Sequence, residues 1–124
     1  MRAPLSPNKH VHAEQYVANF FRSNGWSVEM QQEDSLSADL LIRHGKHRFI
    51  VEIKALSEGR PDRVLPVLSM AILQAKAAAE LSGNALPLAI IFVPEASLSL
   101  AKHVEVFAQK FAKDVSVGII SGRG

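Results

Sequence analysis

A chain of 124 residues is sized for one domain, and a 48% hydrophobic share supplies a core, which excludes an intrinsically disordered chain. Cysteine is absent, so disulfide frameworks, thiolate zinc sites and cysteine nucleophiles are excluded. Fourteen Lys and Arg against twelve Asp and Glu leave a net charge of +2, which admits a nucleic-acid partner without demanding one. No uninterrupted apolar run approaches the ~18–20 residues of a membrane helix. Met1-Arg2-Ala3-Pro4-Leu5 lacks the apolar stretch of a secretory signal, so the expectation is a cytoplasmic protein with no membrane partner.

Residues 1–6 read as a loose leader. Ser6-Pro7 is a helix-start signal, because Ser caps free amides and Pro suits the first turn. Ala13, Tyr16, Val17, Phe20 and Phe21 then recur at helical spacing, and Asn24-Gly25 stops the helix. Trp26, Val28 and Met30 alternate with polar residues at strand period. After a polar stretch, 32–37, a second strand covers Asp39 to Arg43. His44-Gly45-Lys46 is a hairpin turn, and a third strand covers His47 to Ala55. On that strand Phe49, Val51, Ile53 and Ala55 share one face, and Arg48, Ile50, Glu52 and Lys54 the other.

A polar loop, Ser57 to Arg63, leads into an Ala- and Leu-rich helix, Val64 to Leu81, closed by Ser82-Gly83-Asn84. Leu88 to Val93 is apolar throughout, as a central strand covered on both faces should be. A helix from about Leu98 to Lys113 turns Leu100, Val104, Phe107, Ala108 and Phe111 inward, and Val115 to Ile120 is a last strand. The expected fold is α/β. The first three strands can form an antiparallel meander, residues 47 to 93 form a right-handed parallel crossover, and helices lie on both faces of a mixed sheet.

Asp39, Glu52 and Lys54 stand out by position. Glu52 and Lys54 project from one strand face, and a turn at Gly45 brings Asp39 within reach of Glu52. Converging carboxylates repel unless a cation sits between them, and Mg²⁺ takes one or two carboxylates plus water and phosphate oxygens. The main-chain carbonyl of Ile53 is a further oxygen donor. Lys54 beside such an ion can orient an attacking water or stabilise charge on a phosphorane. The set fits metal-assisted hydrolysis of a phosphodiester. The plainer reading of Glu-x-Lys is a solvated strand face. Asp34 is the competing acid if the strand starts earlier, although the alternation from Leu40 favours Asp39.

Asp39 followed thirteen residues later by Glu52-Ile53-Lys54 resembles the signature of the PD-(D/E)XK nuclease superfamily, whose core is the restriction-endonuclease-like fold. The expected αβββαβ order, over roughly residues 7–93, is similar to that core, with the last helix and strand as additions. The resemblance implies a DNA-cutting enzyme dependent on Mg²⁺, with Mn²⁺ as substitute. Glu14, Asp39 and Glu52, with the Ile53 carbonyl, would hold the metal, and Lys54 would serve the water. It also offers Gln74 as a polar residue on the helix after the catalytic strand. The tyrosine that follows such a glutamine in one large branch is replaced by Ala78, and the leading Pro of the motif is Ala38. The small size is similar, in architecture only, to compact branches such as archaeal Holliday-junction resolvases.

Lys9, Arg43, Lys46, His47, Arg48, Arg60 and Arg63 gather in sequence around the hairpin and the loop after the third strand, as a phosphate track would require. A charged hairpin also serves solubility alone. His10 and His12 do not share a helix face and make a poor metal pair. Phe20, Phe21, Phe107 and Phe111 are expected to be packing residues, and Trp26 a core residue. No Gly-rich phosphate loop or nucleophile elbow is present, and no organic cofactor is expected. The rival expectation is a catalytically inactive module of the same fold that binds nucleic acid or a protein. Cutting two strands with so short a chain calls for a two-fold homodimer or a place in a larger nuclease complex.

Overall fold

In the computed structural model the described residues are 5–30, 39–56, 60–95 and 98–122, with side chains described from residue 12. Helix α1 (Leu5–Ser23) opens the chain, so residues 5 and 6 are helical and do not belong to a leader. Its end follows from Asn24-Gly25. The Asn24 side-chain amide donates to the Phe20 carbonyl at 2.8 Å, and Gly25 takes φ +89, which turns the chain so that the Trp26 N–H reaches the Phe21 carbonyl at 3.0 Å.

Strands β1 (Ser27–Met30), β2 (Leu40–His44) and β3 (His47–Ala55) form the antiparallel meander. The turn is the two residues Gly45-Lys46, since His44 pairs with His47. Only Gly45 has positive φ (+62), the pattern of a type II′ turn. A short 3-10 turn, Pro61–Arg63, leads into α2 (Val64–Ser82), which Gly83 closes at φ +83. Then come β4 (Leu86–Pro94), α3 (Leu100–Phe111) and β5 (Ser116–Gly122). The sheet order is β1-β2-β3-β4-β5, with β3, β4 and β5 parallel.

Two clusters explain the layers. Ala13, Val17, Ala18 and Phe21 of α1 pack with Leu40, Ile42, Val51, Ile53, Ile90 and Phe92 on one face. Leu68, Ala71 and Ala75 of α2 and Leu100 and Val104 of α3 pack with Ala89, Ile91 and Val93 on the other. Strand β4 is therefore apolar from Ala89 to Val93 because both its faces are covered, and each large side chain buried there contributes about 1.5–3 kcal/mol.

Several expectations are corrected. Phe20 (46% exposed) and Phe111 (57% exposed) are not core residues. On α1 the inward stripe centres near Val17, and Phe20 falls off its edge. Phe111 is the last residue of a helix that stops two residues before Lys113. Trp26 is half-buried, packed edge-on against Phe21 and Phe49. Helix and turn together, Pro61–Ser82, are long and apolar enough to cross a membrane by length and composition alone, with a mean hydropathy of 1.4. Gln74, Lys76 and Glu80 interrupt that stretch, so no continuous apolar run announces it. Its inner face, Val64, Leu68, Ala71, Ala75 and Ala78, lies on the sheet.

Candidate active site

The β2–β3 register carries the site. Leu40 stands opposite Val51, so Asp39, one residue earlier, stands level with Glu52. A carboxylate oxygen of Asp39 accepts a hydrogen bond from the Ile53 main-chain N–H at 2.8 Å. This bond continues the ladder one step beyond β2, with a side chain in place of a carbonyl. In an antiparallel pair the N–H and C=O of one residue point to the same side. The Ile53 carbonyl therefore faces the side of β3 from which Asp39 approaches.

Glu52 and Lys54 project from the face of β3 that α2 covers, while Val51 and Ile53 lock the strand against α1. Glu52 is 8% exposed and is the one buried charged residue among the described residues. The Lys54 ammonium lies 3.6 Å from one Glu52 carboxylate oxygen and is itself partly exposed. An acid is thus held under cover, with a cation beside it that reaches solvent. Asp39, Glu52, Ile53 and Lys54 are brought together as the sequence spacing implies.

Glu14 reaches the same end of the sheet from the opposite face. Helix α1 runs with Phe21 near Trp26, at the turn end, and His12 and Tyr16 against Phe92, at the far end. At about 100° per residue, Glu14 falls between Phe21 and Ala18 on the inward stripe, and it is half-buried. Among the described residues no three His, Asp or Glu side chains gather as a metal-holding group, so Glu14, Asp39 and Glu52 are not assembled into one. Two carboxylates, Asp39 and Glu52, stand level across β2 and β3, with the Ile53 carbonyl on the Asp39 side of β3. Gln74 is exposed on α2, beside buried Ala75, and does not join the hydrogen-bonded set.

The basic residues do not form one track. Arg43, Lys46, His47 and Arg48 lie at the hairpin end of β3, whereas Arg60 and Arg63 follow its other end. Arg60 pairs with Asp62 at 3.1 Å, and Arg63 is exposed. The side chains of Lys9 and His10, and all of Asp34, lie outside the described residues. Two features escaped the sequence reading: the Asp39–Ile53 bond, and the direct pairing of Arg43 with Arg48 across the strands. Both follow from the register once the turn is confined to Gly45-Lys46. Comparison of the chain with family models, with curated proteins and with solved structures found no match.

Proposed function

We propose that the chain is a metal-dependent nuclease of PD-(D/E)XK type that hydrolyses DNA phosphodiesters, and that its αβββαβ portion is a restriction-endonuclease-like core. The observation that carries this reading is the seating of the Asp39 carboxylate on the Ile53 N–H at 2.8 Å, between Glu52 and Lys54. That bond fixes one carboxylate beside a strand that carries a buried acid and its lysine, an arrangement a merely solvated strand face does not need.

Asp39, Glu52 and the Ile53 carbonyl would hold Mg²⁺, which when bound would neutralise charge on the phosphate. Glu52, under α2, keeps its carboxylate in a fixed direction. Lys54 hydrogen-bonds the attacking water and stabilises the negative charge that builds on phosphorus. Water adds to phosphorus and gives up a proton to solvent, the bond to the 3′ oxygen breaks, and that oxygen leaves with a proton taken back from solvent. Glu14 and Gln74 stand in reserve, Glu14 reaching the same end of the sheet from the α1 side.

Labelled single-stranded DNA, duplex, four-way junction and RNA, incubated with Mg²⁺, Mn²⁺ or EDTA, test the reading. Cleavage of DNA is expected with either metal, none in EDTA, none with Asp39→Ala, and roughly 10²–10³-fold slower cleavage with Lys54→Ala. Silence of the wild-type chain on every substrate overturns it. The 3.6 Å Glu52–Lys54 pair favours a second reading, a nuclease-fold binding module, because a lysine already balances the buried acid. Binding of DNA by the wild-type chain with no cleavage under any metal is its expected signature.

A further inference from the structure

We propose that the face of β1 and β2 left open beside α2 seats a backbone phosphate of the nucleic acid, gripped by Arg43 and Arg48. Ser27, Arg43 and Arg48 stand in one row across β1, β2 and β3, on the sheet face that also carries Glu52 and Lys54. With Val28, Glu29 and Leu41 they line a cleft of about 280 Å³. Helix α2 covers β3 and β4, and among the described residues the floor of the cleft stays accessible.

Two arginines placed directly opposite each other in an antiparallel pair repel. Here neither has a carboxylate partner among the described residues, although Glu29 lines the same cleft. The Arg48 Nε is buried with no hydrogen-bond acceptor. A buried donor left without an acceptor is costly, and guanidinium groups present a fork that fits phosphate oxygens. An anion between Arg43 and Arg48 relieves both the repulsion and the unmet donor, and the Ser27 hydroxyl adds a third donor.

A phosphodiester chain is the anion favoured, because the cleft and the carboxylates share a face. Arg48 and Glu52 are four residues apart on β3, about 13 Å at ~3.3 Å each. That spans about four nucleotide steps of a duplex strand at ~3.4 Å each. Beside that stretch the row from Arg43 past half-buried Leu41 leads to Asp39. The inference rests on the nuclease reading for its choice of nucleic acid, but it is tested by binding alone.

Binding of a short labelled DNA duplex is measured by fluorescence anisotropy in EDTA across a salt series. Arg43→Gln and Arg48→Gln are each expected to weaken binding and to lower the slope of log affinity against log salt by about 1. Lys110→Gln, which removes the same charge from α3, is expected to leave the slope unchanged. Thermal midpoints that do not fall in the arginine variants confirm that the fold is kept, as removal of a like-charged pair implies. Unchanged slopes in both arginine variants, an equal loss with Lys110→Gln, or no duplex binding by the wild-type chain overturns the cleft. Lost slope without any cleavage sustains the cleft and sinks the nuclease, whereas cleavage with unchanged slopes does the reverse.

Discussion

Asp39 does two jobs through one carboxylate. One oxygen holds the Ile53 N–H, and the group as a whole faces Glu52 across the strand gap. The two roles separate by substitution. Asp39→Asn keeps an acceptor for Ile53 and removes the charge, so chemical denaturation is expected to show near-wild-type stability while cleavage is lost. Asp39→Ala also leaves a part-buried N–H unpaired, at a cost of about 1–3 kcal/mol. Equal stability for the two variants would mean that the bond contributes nothing. The Glu52–Lys54 pair is separable in the same way. Lys54→Met takes the neighbouring cation away from a carboxylate that is 8% exposed, whereas Glu52→Gln with Lys54→Met removes both charges. The double variant is therefore expected to unfold at higher denaturant than Lys54→Met alone. Under the nuclease proposal, loss of Lys54 is expected to lower the cleavage rate roughly 10²–10³-fold, as removal of one transition-state donor does. A single-turnover rate within a few fold of wild type would take Lys54 out of the chemistry.

Elements reach the site through their packing, and α1 shows how. Its far half is held by buried Ala13 and Val17, and beside them the Tyr16 ring meets Phe92 edge-on at 5.2 Å and lies against Gly122 at the end of β5. A Cβ at residue 122 would overlap the Tyr16 ring, so Gly122→Ala is expected to cost about 1–3 kcal/mol by thermal or urea denaturation. Because Glu14 sits half a turn from Tyr16, the same variant should also reduce cleavage if Glu14 serves the metal. Activity unchanged in a destabilised Gly122→Ala would detach α1 from catalysis. Element order was legible because period, caps and turns agree: Asn24-Gly25, Gly45 and Gly83 all stop or turn the chain where positive φ is needed. Burial was less legible. Phe20 and Phe111 carry core chemistry at helical spacing, yet spacing alone does not say how wide a stripe the sheet covers. At the site, Asp39, Glu52 and Lys54 could be read because strand period and a short turn fix their faces. The division of the basic residues could not, since Arg43 and Arg60 lie near β3 in sequence but at opposite ends of it in space.

For the whole molecule, the nuclease proposal raises the question of how one site would meet two antiparallel DNA strands. A single Asp39–Glu52–Lys54 set can act on one phosphodiester at a time, and duplex strands are related by two-fold axes. Two copies about such an axis would present one site to each strand. The side of the sheet away from the meander has the surface for this: β5 is an edge strand, and Val106 and Phe111 of α3 are exposed. If a dimer forms there, sedimentation equilibrium should give twice the chain mass at high concentration, falling toward one chain on dilution. Phe111→Glu should shift that balance toward the single chain, and it should turn double-strand cuts into nicks while the rate at each strand persists. A mass equal to one chain at every concentration, with double-strand cuts still made, would show that one copy releases and rebinds the duplex. In that case the Arg43–Arg48 cleft must hold either strand in turn, and its variants should slow the second cut more than the first.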